Sequence, residues 1–364
     1  MNMLSKITET SPIEMYEDIE TIKKNGYPVV LIGTSQYASI AHKFLKDNGV
    51  QVDIVSVNKK YLDKEVFFLG KKVLPLEDVA ANEGLYNYIV GFQPHNDDYV
   101  RLISSNSAVV FFYDILNLNH ENVSYDFIKE NENKLQWFFD KLEDDVSRDA
   151  LIAFINQRIS CKTEYFNRVF FENIYFLDSI INFSENEVFV DCACTGDTIL
   201  SFLANYREKG FINPRKIYGL EPDSSNFKQL VSTVSQFDFC QVVNSGAWSV
   251  NTKLSFRQGI GELSRVDLDN KSDVIDVVSI DSLLKGDEAT FIKMDIEGAE
   301  LAALQGAAKT IRDYKPKLAI SLYHKPEDLI EIPSYLNELN PDYKFYLRCH
   351  QRYFSVDMVL YAIV

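Results

Sequence analysis

Short apolar runs alternate with amphipathic segments along the first third of the chain. The run Val29–Ile32 is bounded by Pro28 and Gly33, and residues 38–45 carry apolar side chains at helical spacing. Further apolar runs predict strands over residues 50–57, 85–91 and 108–114, with a helix near residues 98–104. Strands that alternate with helices form mostly parallel sheets. Residues 1–120 are therefore predicted to form a small Rossmann-like α/β domain.

The pattern becomes helical between residues 119 and 183. Apolar side chains recur there at helical spacing, without a Pro, and predict helices over residues 134–142, 148–158 and 165–181. This composition is typical of helices that pack on a neighbouring domain rather than of a flexible linker. Residues 121–183 are predicted to be a helical connector.

Apolar runs return in the last part of the chain and predict seven more strands. They fall at residues 187–192, 216–221, 241–245, 290–295, 317–322, 343–348 and 358–364. Glycines and prolines such as Gly210, Gly306 and Pro316 separate them. Residues 184–364 are therefore predicted to form a second, larger α/β domain.

Composition narrows the class of protein. With 46% hydrophobic and 25% charged residues, the chain matches an ordinary soluble globular protein. Its 37 Lys and Arg against 53 Asp and Glu give a net charge of −16, which disfavours nucleic acid and anionic membranes as partners. No apolar run approaches a membrane span, and the polar N-terminus does not resemble a signal peptide. We expect a cytoplasmic protein.

The five cysteines do not form a recognisable framework. Their number is odd, and Cys192 and Cys194 form C-x-C without a Cys/His pair downstream to complete a zinc site. Reduced, mostly buried thiols are the better interpretation.

Polar residues cluster directly after the apolar runs of the second domain, where an α/β sheet binds its ligands. Asp191 closes the first run, and Gly196 precedes a predicted helix over residues 199–206. Asp197 and Thr198 are natural N-cap residues for that helix, a role compatible with ligand contact. The carboxylates of Glu221 and Asp223 follow the second run; a surface turn is the alternative for Glu221.

The residues at the ends of the third and fourth apolar runs differ in chemical type. Gly246, Ala247 and Trp248 follow the third run, where Trp248 either lies beside a ligand or packs in the core. Lys293, Asp295 and Glu297 alternate at the fourth, so their side chains point to one side. They could orient a substrate, pair with one another or hold a cation. With two carboxylates and no further ligand visible, no metal site is predicted.

The fifth and sixth runs supply further polar side chains. His324 is the best general-base candidate of the five histidines, with a solvated or capping loop histidine as the alternative. Lys325 follows it. Arg348 could clamp an anionic group or form a salt bridge with local acids, and His350 lies beside it in sequence.

These motifs together resemble the FkbM-type S-adenosylmethionine (SAM) dependent methyltransferases. They occur in order over roughly residues 150–364, and the most specific part is K-x-D-x-E-G-A-E followed by Y-H-K-P-E-D-L. The carrying segments are EVFVDCACTGDT (187–198), IYGLEPD (217–223), SGAW (245–248), VSIDSLL (278–284), FIKMDIEGAE (291–300), ISLYHKPEDL (320–329) and residues 346–350.

The resemblance implies a seven-stranded sheet whose last two strands form an antiparallel hairpin. It implies SAM as the cofactor and a small-molecule acceptor, a sugar or nucleotide sugar, that is methylated on a hydroxyl by in-line transfer. The oligomeric state stays open, with a homo-oligomer as one option.

The implied site residues fall into three groups. The first would bind SAM, with Asp191 at the methionyl amine and Glu221 at the ribose; its members are Asp191, Ala193, Gly196, Asp197, Thr198, Glu221, Asp223, Gly246, Ala247, Trp248 and Asp295. The catalytic group is His324, Asp295 and Lys293. The group that would bind the acceptor is Glu297, Lys325, Arg348 and His350.

One departure from the family pattern concerns the first strand end. The family usually has a Gly two residues after the first Asp, whereas this chain has Ala193 and then Cys194, in a stretch that is one residue short. This departure favours the alternative of a non-catalytic SAM-fold binding protein.

Three N-terminal segments are VVLIGTSQYA (29–38), VDIVSVN (52–58) and KKVLPLEDV (71–79). On these segments the N-terminal domain resembles the small Rossmann-like domain at the front of some bacterial sugar-modifying enzymes. Its loop after residue 32 keeps only the first Gly, Gly33, of G-x-G-x-x-G, and Asn58 stands where a ribose-binding acid is expected. An NAD(P)-dependent enzyme is therefore the weaker alternative, and we expect a docking or acceptor-recognition module.

Overall fold

The computed structural model describes residues 2–62, 64–92, 98–112, 123–257, 265–266 and 273–364. In the N-terminal part, six strands form a sheet in the order β3-β4-β2-β1-β5-β6, parallel except for the β3–β4 pair. The elements are α1 Ile13–Asn25, β1 Val29–Ile32, α2 Gln36–Asp47, β2 Ile54–Val57, β3 Phe67–Phe68, β4 Lys71–Pro75, α3 Leu76–Ala80, β5 Tyr86–Val90, α4 Asp98–Ile103 and β6 Ser107–Phe112.

This sheet confirms the predicted α/β fold and adds two strands. The sequence predicted four strands. It did not predict β3, a two-residue edge strand, or the neighbouring β4, because both have few apolar positions. The fully buried strand β1 lies between β2 and β5, which explains its unbroken apolar run. Residues 113 and 114 of the predicted fourth strand lie outside the described residues.

The connector contains three α-helices, α5 Tyr125–Glu130, α6 Glu132–Lys141 and α7 Asp145–Ser160, followed by a 3-10 helix, Thr163–Arg168. The helix predicted over residues 165–181 is therefore wrong beyond residue 168. Tyr175 has a φ of +67°, which a helix does not contain. Phe176 packs against the rings of Phe189 and Phe202 instead. The apolar spacing of this segment reflects insertion into an aromatic cluster, not one face of a helix.

The C-terminal part contains the seven-stranded sheet, in the order β16-β17-β15-β14-β7-β8-β9. Its strands are β7 Val188–Cys192, β8 Lys216–Leu220, β9 Cys240–Val243, β14 Phe291–Met294, β15 Lys317–Ser321, β16 Lys344–Cys349 and β17 Met358–Ile363. The strands from β15 to β9 are parallel, and β17 pairs antiparallel with both β15 and β16. The predicted sheet and its terminal hairpin are confirmed.

Helices and a second, smaller sheet surround these strands. The helices are α8 Asp197–Glu208, α9 Ser224–Val234, α10 Ile280–Leu284, α11 Glu300–Gln305, α12 Ala308–Tyr314 and α13 Asp328–Leu339. The smaller sheet has the order β10-β13-β11-β12, from β10 Gly246–Ala247, β11 Thr252–Arg257, β12 Arg265–Val266 and β13 Asp273–Val278. The sequence did not predict this sheet, because its strands are short or carry mixed polar residues.

One apolar cluster links the N-terminal part, the connector and the second sheet. It includes Leu31, Phe154 and Leu347, all buried. The N-terminal tail is fixed to the connector as well, because the side-chain oxygen of Asn156 accepts hydrogen bonds from the backbone of Thr8 and Glu9. Within the part of the chain that the structure describes, no helix combines the length and apolar character that a membrane span needs.

Candidate functional site

The candidate site lies where the parallel strands β14, β7 and β8 end side by side. Their register places Asp191 next to Lys293 on one side and Gly219 on the other. A carboxylate lies at the carboxyl end of each of the three strands, so acidic side chains gather along one edge of the sheet, the edge at which such sheets bind ligands.

Asp191 and Lys293 form a buried ion pair at the centre of this edge. The Lys293 ammonium lies 3.3 Å from the Asp191 carboxylate, and both side chains are almost fully buried. The ammonium also donates to the carbonyls of Cys192 and Ala193 at 3.3 Å each. Burial raises the pKa of Asp191 despite the nearby lysine. Burial alone would lower the pKa of Lys293, but Asp191 and Asp295 outweigh it and raise that pKa. Lys293 therefore stays charged and holds this loop in place.

The loop after β7 adopts a glycine-like shape without the glycine. Ala193 has a φ of +62°, in the left-handed region that L-residues seldom occupy. Its amide and that of Cys194 both donate to the carbonyl of Leu220. The Cys194 side chain is buried in the aromatic cluster, and burial raises the pKa of its thiol. The departure at residues 193 and 194 thus leaves the turn intact and introduces local backbone strain.

Helix α8 begins at this loop with Gly196 as its N-cap residue, at a φ of +106°. A Cβ on Gly196 would lie 2.9 Å from the side chain of Thr233, so only Gly fits. Asp197 and Thr198 are the first helical residues and make no side-chain cap. The predicted N-cap role of these two residues is wrong, because the positive φ at the cap position requires the preceding glycine. The negative charge of Asp197 in the first turn still favours the helix dipole.

Glu221 and Asp223 follow β8, and both are about 95% buried. The Glu221 carboxylate accepts the backbone N–H of Asp223 at 2.8 Å. Burial raises the pKa of Glu221 from 4.5 to about 7, and the negative charge of Asp223 adds to this effect. Asp223 caps helix α9 by accepting from the amides of Ser225 and Asn226. Within the described part of the chain, Glu221 is thus a buried carboxylate without a cationic partner, whereas Asp223 has a structural role.

The residues predicted beside the adenine belong to the smaller sheet. Gly246 and Ala247 form β10, and Trp248 packs half-buried against Ile275 and Val277 of β13. The Trp248 carbonyl lies against Gly306, where an added Cβ would come within 2.0 Å of the oxygen. Trp248 therefore has a core-like environment on this sheet, which is the alternative that the sequence left open.

Asp295 follows β14 and is held by two tyrosine hydroxyls. Tyr175 donates to one carboxylate oxygen at 2.8 Å and Tyr323 to the other at 3.1 Å. Burial would raise the pKa of Asp295, but the charges of Lys293 and His324 together with the hydrogen bonds lower it. The side chain keeps 21% of its surface exposed. Asp295 is therefore an ionised, oriented acceptor that solvent or a ligand can reach.

His324 follows β15 and lies among three carboxylates. Its Nδ1 is 3.1 Å from Glu300, and its Nε2 is 3.6 Å from Asp295 and 3.5 Å from Glu297. Burial would lower the pKa of His324, but the carboxylates raise it from 6.5 to about 10, with Glu300 the largest contributor. The imidazole is then protonated at neutral pH. Because a protonated imidazole cannot accept a proton, the predicted base role requires that this proton first leaves.

The turn between β14 and α11 is closed by Lys325. Its ammonium donates to the Gly298 carbonyl, and its backbone N–H donates to Asp328 at 3.0 Å. Glu297 and Gly298 both have positive φ, +55° and +89°. Lys325 therefore stabilises the turn that presents Glu297, and its ammonium lies at the exposed surface.

Arg348 and His350 lie in structural networks. The Arg348 guanidinium forms a two-pronged ion pair with Asp144 at 2.7 and 3.2 Å, donates to Ser147, and has 5% of its side chain exposed. His350 is hydrogen-bonded to the Tyr361 hydroxyl and the Phe171 carbonyl, and burial lowers its pKa to about 4. The structure therefore realises the salt-bridge alternative for Arg348, and neither side chain is available to a ligand.

Sequence reasoning missed three residues of the site. Tyr175 was assigned to a helix, and its hydroxyl reaches Asp295 only because the segment turns at its positive φ. Tyr323 and Glu300 stood inside the most specific motifs but carried no predicted role. Glu300 is fully buried and accepts the backbone N–H of Ile296 at 2.7 Å. The sequence did not indicate that the Glu300 side chain would be buried.

Comparison with solved structures shows the class of fold, and comparison with family models shows the type of domain. Methyltransferase FkbM from Methylobacillus flagellatus KT is similar over 97% of this chain and 100% of its own, with a TM-score of 0.68 and 23% identity. An rRNA methylase from Streptococcus thermophilus covers 51% of this chain and 90% of its own (TM-score 0.32, 14% identity). A fibrillarin from Aeropyrum pernix with natively bound SAM covers 51% and 70% (TM-score 0.31, 10% identity). No curated protein matches the sequence.

The first similarity extends over nearly all of both chains and shows a shared methyltransferase-like fold that includes the N-terminal sheet. The model of the Methyltransferase FkbM domain matches residues 192–345. The chain therefore carries an FkbM methyltransferase domain, as its motifs indicated.

Proposed function

We propose that this chain is a SAM-dependent O-methyltransferase that methylates a hydroxyl of a sugar or sugar-linked metabolite. One observation carries the proposal: the carboxylates of Asp191, Glu221 and Asp295 lie at the carboxyl ends of three adjacent parallel strands, at one edge of the sheet. Glu221 is buried and has no cationic partner among the residues that the structure describes, and such a group is costly to maintain unless it serves a ligand.

The carboxylates at this edge of the sheet fit the polar groups of SAM. Its methionyl amine is a cation, and the two carboxylates of Asp191 and Asp295 outnumber the single ammonium of Lys293 beside them. Its ribose presents two hydroxyl donors, which a carboxylate such as Glu221 can accept together. Helix α8 begins at the tight turn of Gly196, beside this edge of the sheet. The backbone amides in the first turn of a helix are free to donate to a ligand.

When bound, SAM supplies a methyl group that passes to the acceptor oxygen as its carbon–sulfur bond breaks. The chain's own part is to orient the acceptor and to exclude water. Asp295, fixed by Tyr175 and Tyr323, would accept a hydrogen bond from the acceptor hydroxyl and aim its oxygen. Removal of the hydroxyl proton by a positioned base contributes about 10²–10⁴-fold in such reactions. His324 stays the predicted base.

We assign the N-terminal sheet to acceptor recognition or docking. Its apolar cluster is continuous with that of the connector, and the tail at Thr8 and Glu9 is hydrogen-bonded to Asn156. A module attached in this way holds a fixed position, which suits recognition of the non-reacting part of an acceptor.

Isothermal titration with SAM and S-adenosylhomocysteine tests the cofactor site. We expect micromolar binding, lost in Glu221→Ala and retained in Glu208→Ala, which removes an exposed carboxylate at the end of α8. A panel of nucleotide sugars with methyl-labelled SAM then tests the acceptor class. No binding by the folded protein would contradict the proposal and favour a non-catalytic module. SAM binding without methyl transfer to any hydroxyl would contradict the proposed O-methyltransferase activity.

A further inference from the structure

His324 and two carboxylates form a cluster with the composition of a metal site. Asp295, Glu300 and His324 each offer one ligand atom, and these atoms all lie within 4.8 Å of one another. Asp295 follows β14, Glu300 begins α11, and His324 follows β15, the neighbour of β14. The sequence suggested two carboxylates here; the fold adds the imidazole and a second buried acid.

The buried ligand atoms lack hydrogen-bond partners. His324 is 3% exposed, and among the described residues its ring nitrogens face only carboxylate oxygens, at 3.1 to 3.6 Å and without hydrogen-bond geometry. The Glu300 side chain is fully buried, and its Oε2 likewise has no partner among the described residues. A buried polar atom without a partner costs roughly 1–3 kcal/mol. A ligand that contacts Glu300 and one ring nitrogen of His324 would supply the partners that these two atoms lack.

We infer that Asp295, Glu300 and His324 bind a divalent cation at the edge of the proposed acceptor site. Two carboxylate oxygens suit a hard divalent cation, and Mn²⁺ is one that also accepts an imidazole nitrogen. Ligands about 2.1 Å from one cation lie at most about 4.2 Å apart, so the side chains would close by a few tenths of an ångström. The excess of carboxylates over cationic groups around His324 favours the added positive charge.

The cation would face the cleft on its open side. Asp295 and Glu297 keep 21% and 23% of their side chains exposed, whereas Glu300 and His324 are buried behind them. Coordination positions toward Asp295 are thus left for water or for an acceptor hydroxyl. A cation there would make a coordinated hydroxyl more acidic and orient its oxygen. This catalytic role rests on the proposed function; cation binding itself does not.

The test uses the full chain after dialysis against EDTA and needs no SAM. Electron paramagnetic resonance of free Mn²⁺ during titration should show one bound ion per chain. Glu300→Gln keeps an oxygen to accept the Ile296 amide and should weaken binding at least tenfold, as should His324→Ala. Asp342→Asn, an exposed carboxylate elsewhere, should not change it. Circular dichroism establishes that each variant is folded.

Pulsed electron paramagnetic resonance supplies a signature that a structural role would not produce. The bound ion should show ¹⁴N coupling from the imidazole, and His324→Ala should remove it. Absence of a stoichiometric ion, or an ion without ¹⁴N coupling, would overturn the inference and leave His324 as an ion-paired imidazolium. Because SAM titration is measured separately, loss of the metal site and loss of the proposed function are distinguishable.

Discussion

Glu221 should lower the stability of the protein at neutral and alkaline pH. Its folded-state pKa of about 7 lies above the ordinary value of 4.5 because the carboxyl is buried. The folded state therefore holds its proton over a pH range in which the unfolded chain has lost it, so stability falls as pH rises from about 4.5 through 7. The difference between a pKa of 4.5 and one of about 7 lowers the free energy of unfolding by roughly 3 kcal/mol above pH 7.

Glu221→Gln should remove this loss of stability at high pH and leave the turn after β8 unchanged. The amide oxygen of Gln can still accept the Asp223 N–H that now lies 2.8 Å from the carboxylate. We expect the free energy of unfolding to rise by about 2–3 kcal/mol at pH 8 and by less than about 1 kcal/mol at pH 5. SAM binding should be lost at both pH values, because an amide accepts the two ribose hydroxyls less well than a carboxylate does.

Urea unfolding at pH 5 and pH 8, followed by circular dichroism, measures the effect. Glu208→Gln, which alters an exposed carboxylate, should leave the urea midpoint unchanged at both pH values. An equal change of stability at the two pH values would refute the argument from burial. So would a Glu221→Gln variant that is no more stable than the natural chain at pH 8.

Two further predictions concern the strained loop and the buried arginine. Ala193→Gly should raise the free energy of unfolding by up to about 1 kcal/mol, since Gly relieves the φ of +62°; a lower urea midpoint would contradict this. Arg348→Ala should lower it by about 2–4 kcal/mol, because Asp144 and Ser147 lose their buried partner, while titration of the folded variant should give unchanged SAM affinity. Normal stability with impaired acceptor use would show a ligand role for Arg348 instead.

The sequence by itself determined the strands of the seven-stranded sheet, four of the six strands of the N-terminal sheet, and the strand ends at which carboxylates lie. Buried parallel strands are mostly apolar on both faces, so they appear as runs such as Val29–Ile32 that length and neighbours identify. The residue after such a run necessarily lies at the ligand-binding edge. Asp191, Glu221 and Asp295 could be placed there without any knowledge of their partners, and the motifs around them identified the FkbM domain.

Sequence patterns failed where a segment's shape depends on distant contacts. The apolar spacing of residues 165–181 is the same for a helix and for a chain inserted into an aromatic cluster. The fold selected the second, which allows the Tyr175 hydroxyl to reach Asp295 from 120 residues away. Local periodicity contains no information about such a partner.

Only the tertiary structure decided which polar side chains are free to act. Arg348 and His350 lie near the candidate site in sequence order, yet Asp144 and Tyr361 engage them, because the connector packs on β16 and β17 pairs beside it. His324 looked like an isolated base, and the fold surrounded it with carboxylates from two other segments. A side chain's charge state and role depend on neighbours brought together by packing, and their identity is set by the fold as a whole.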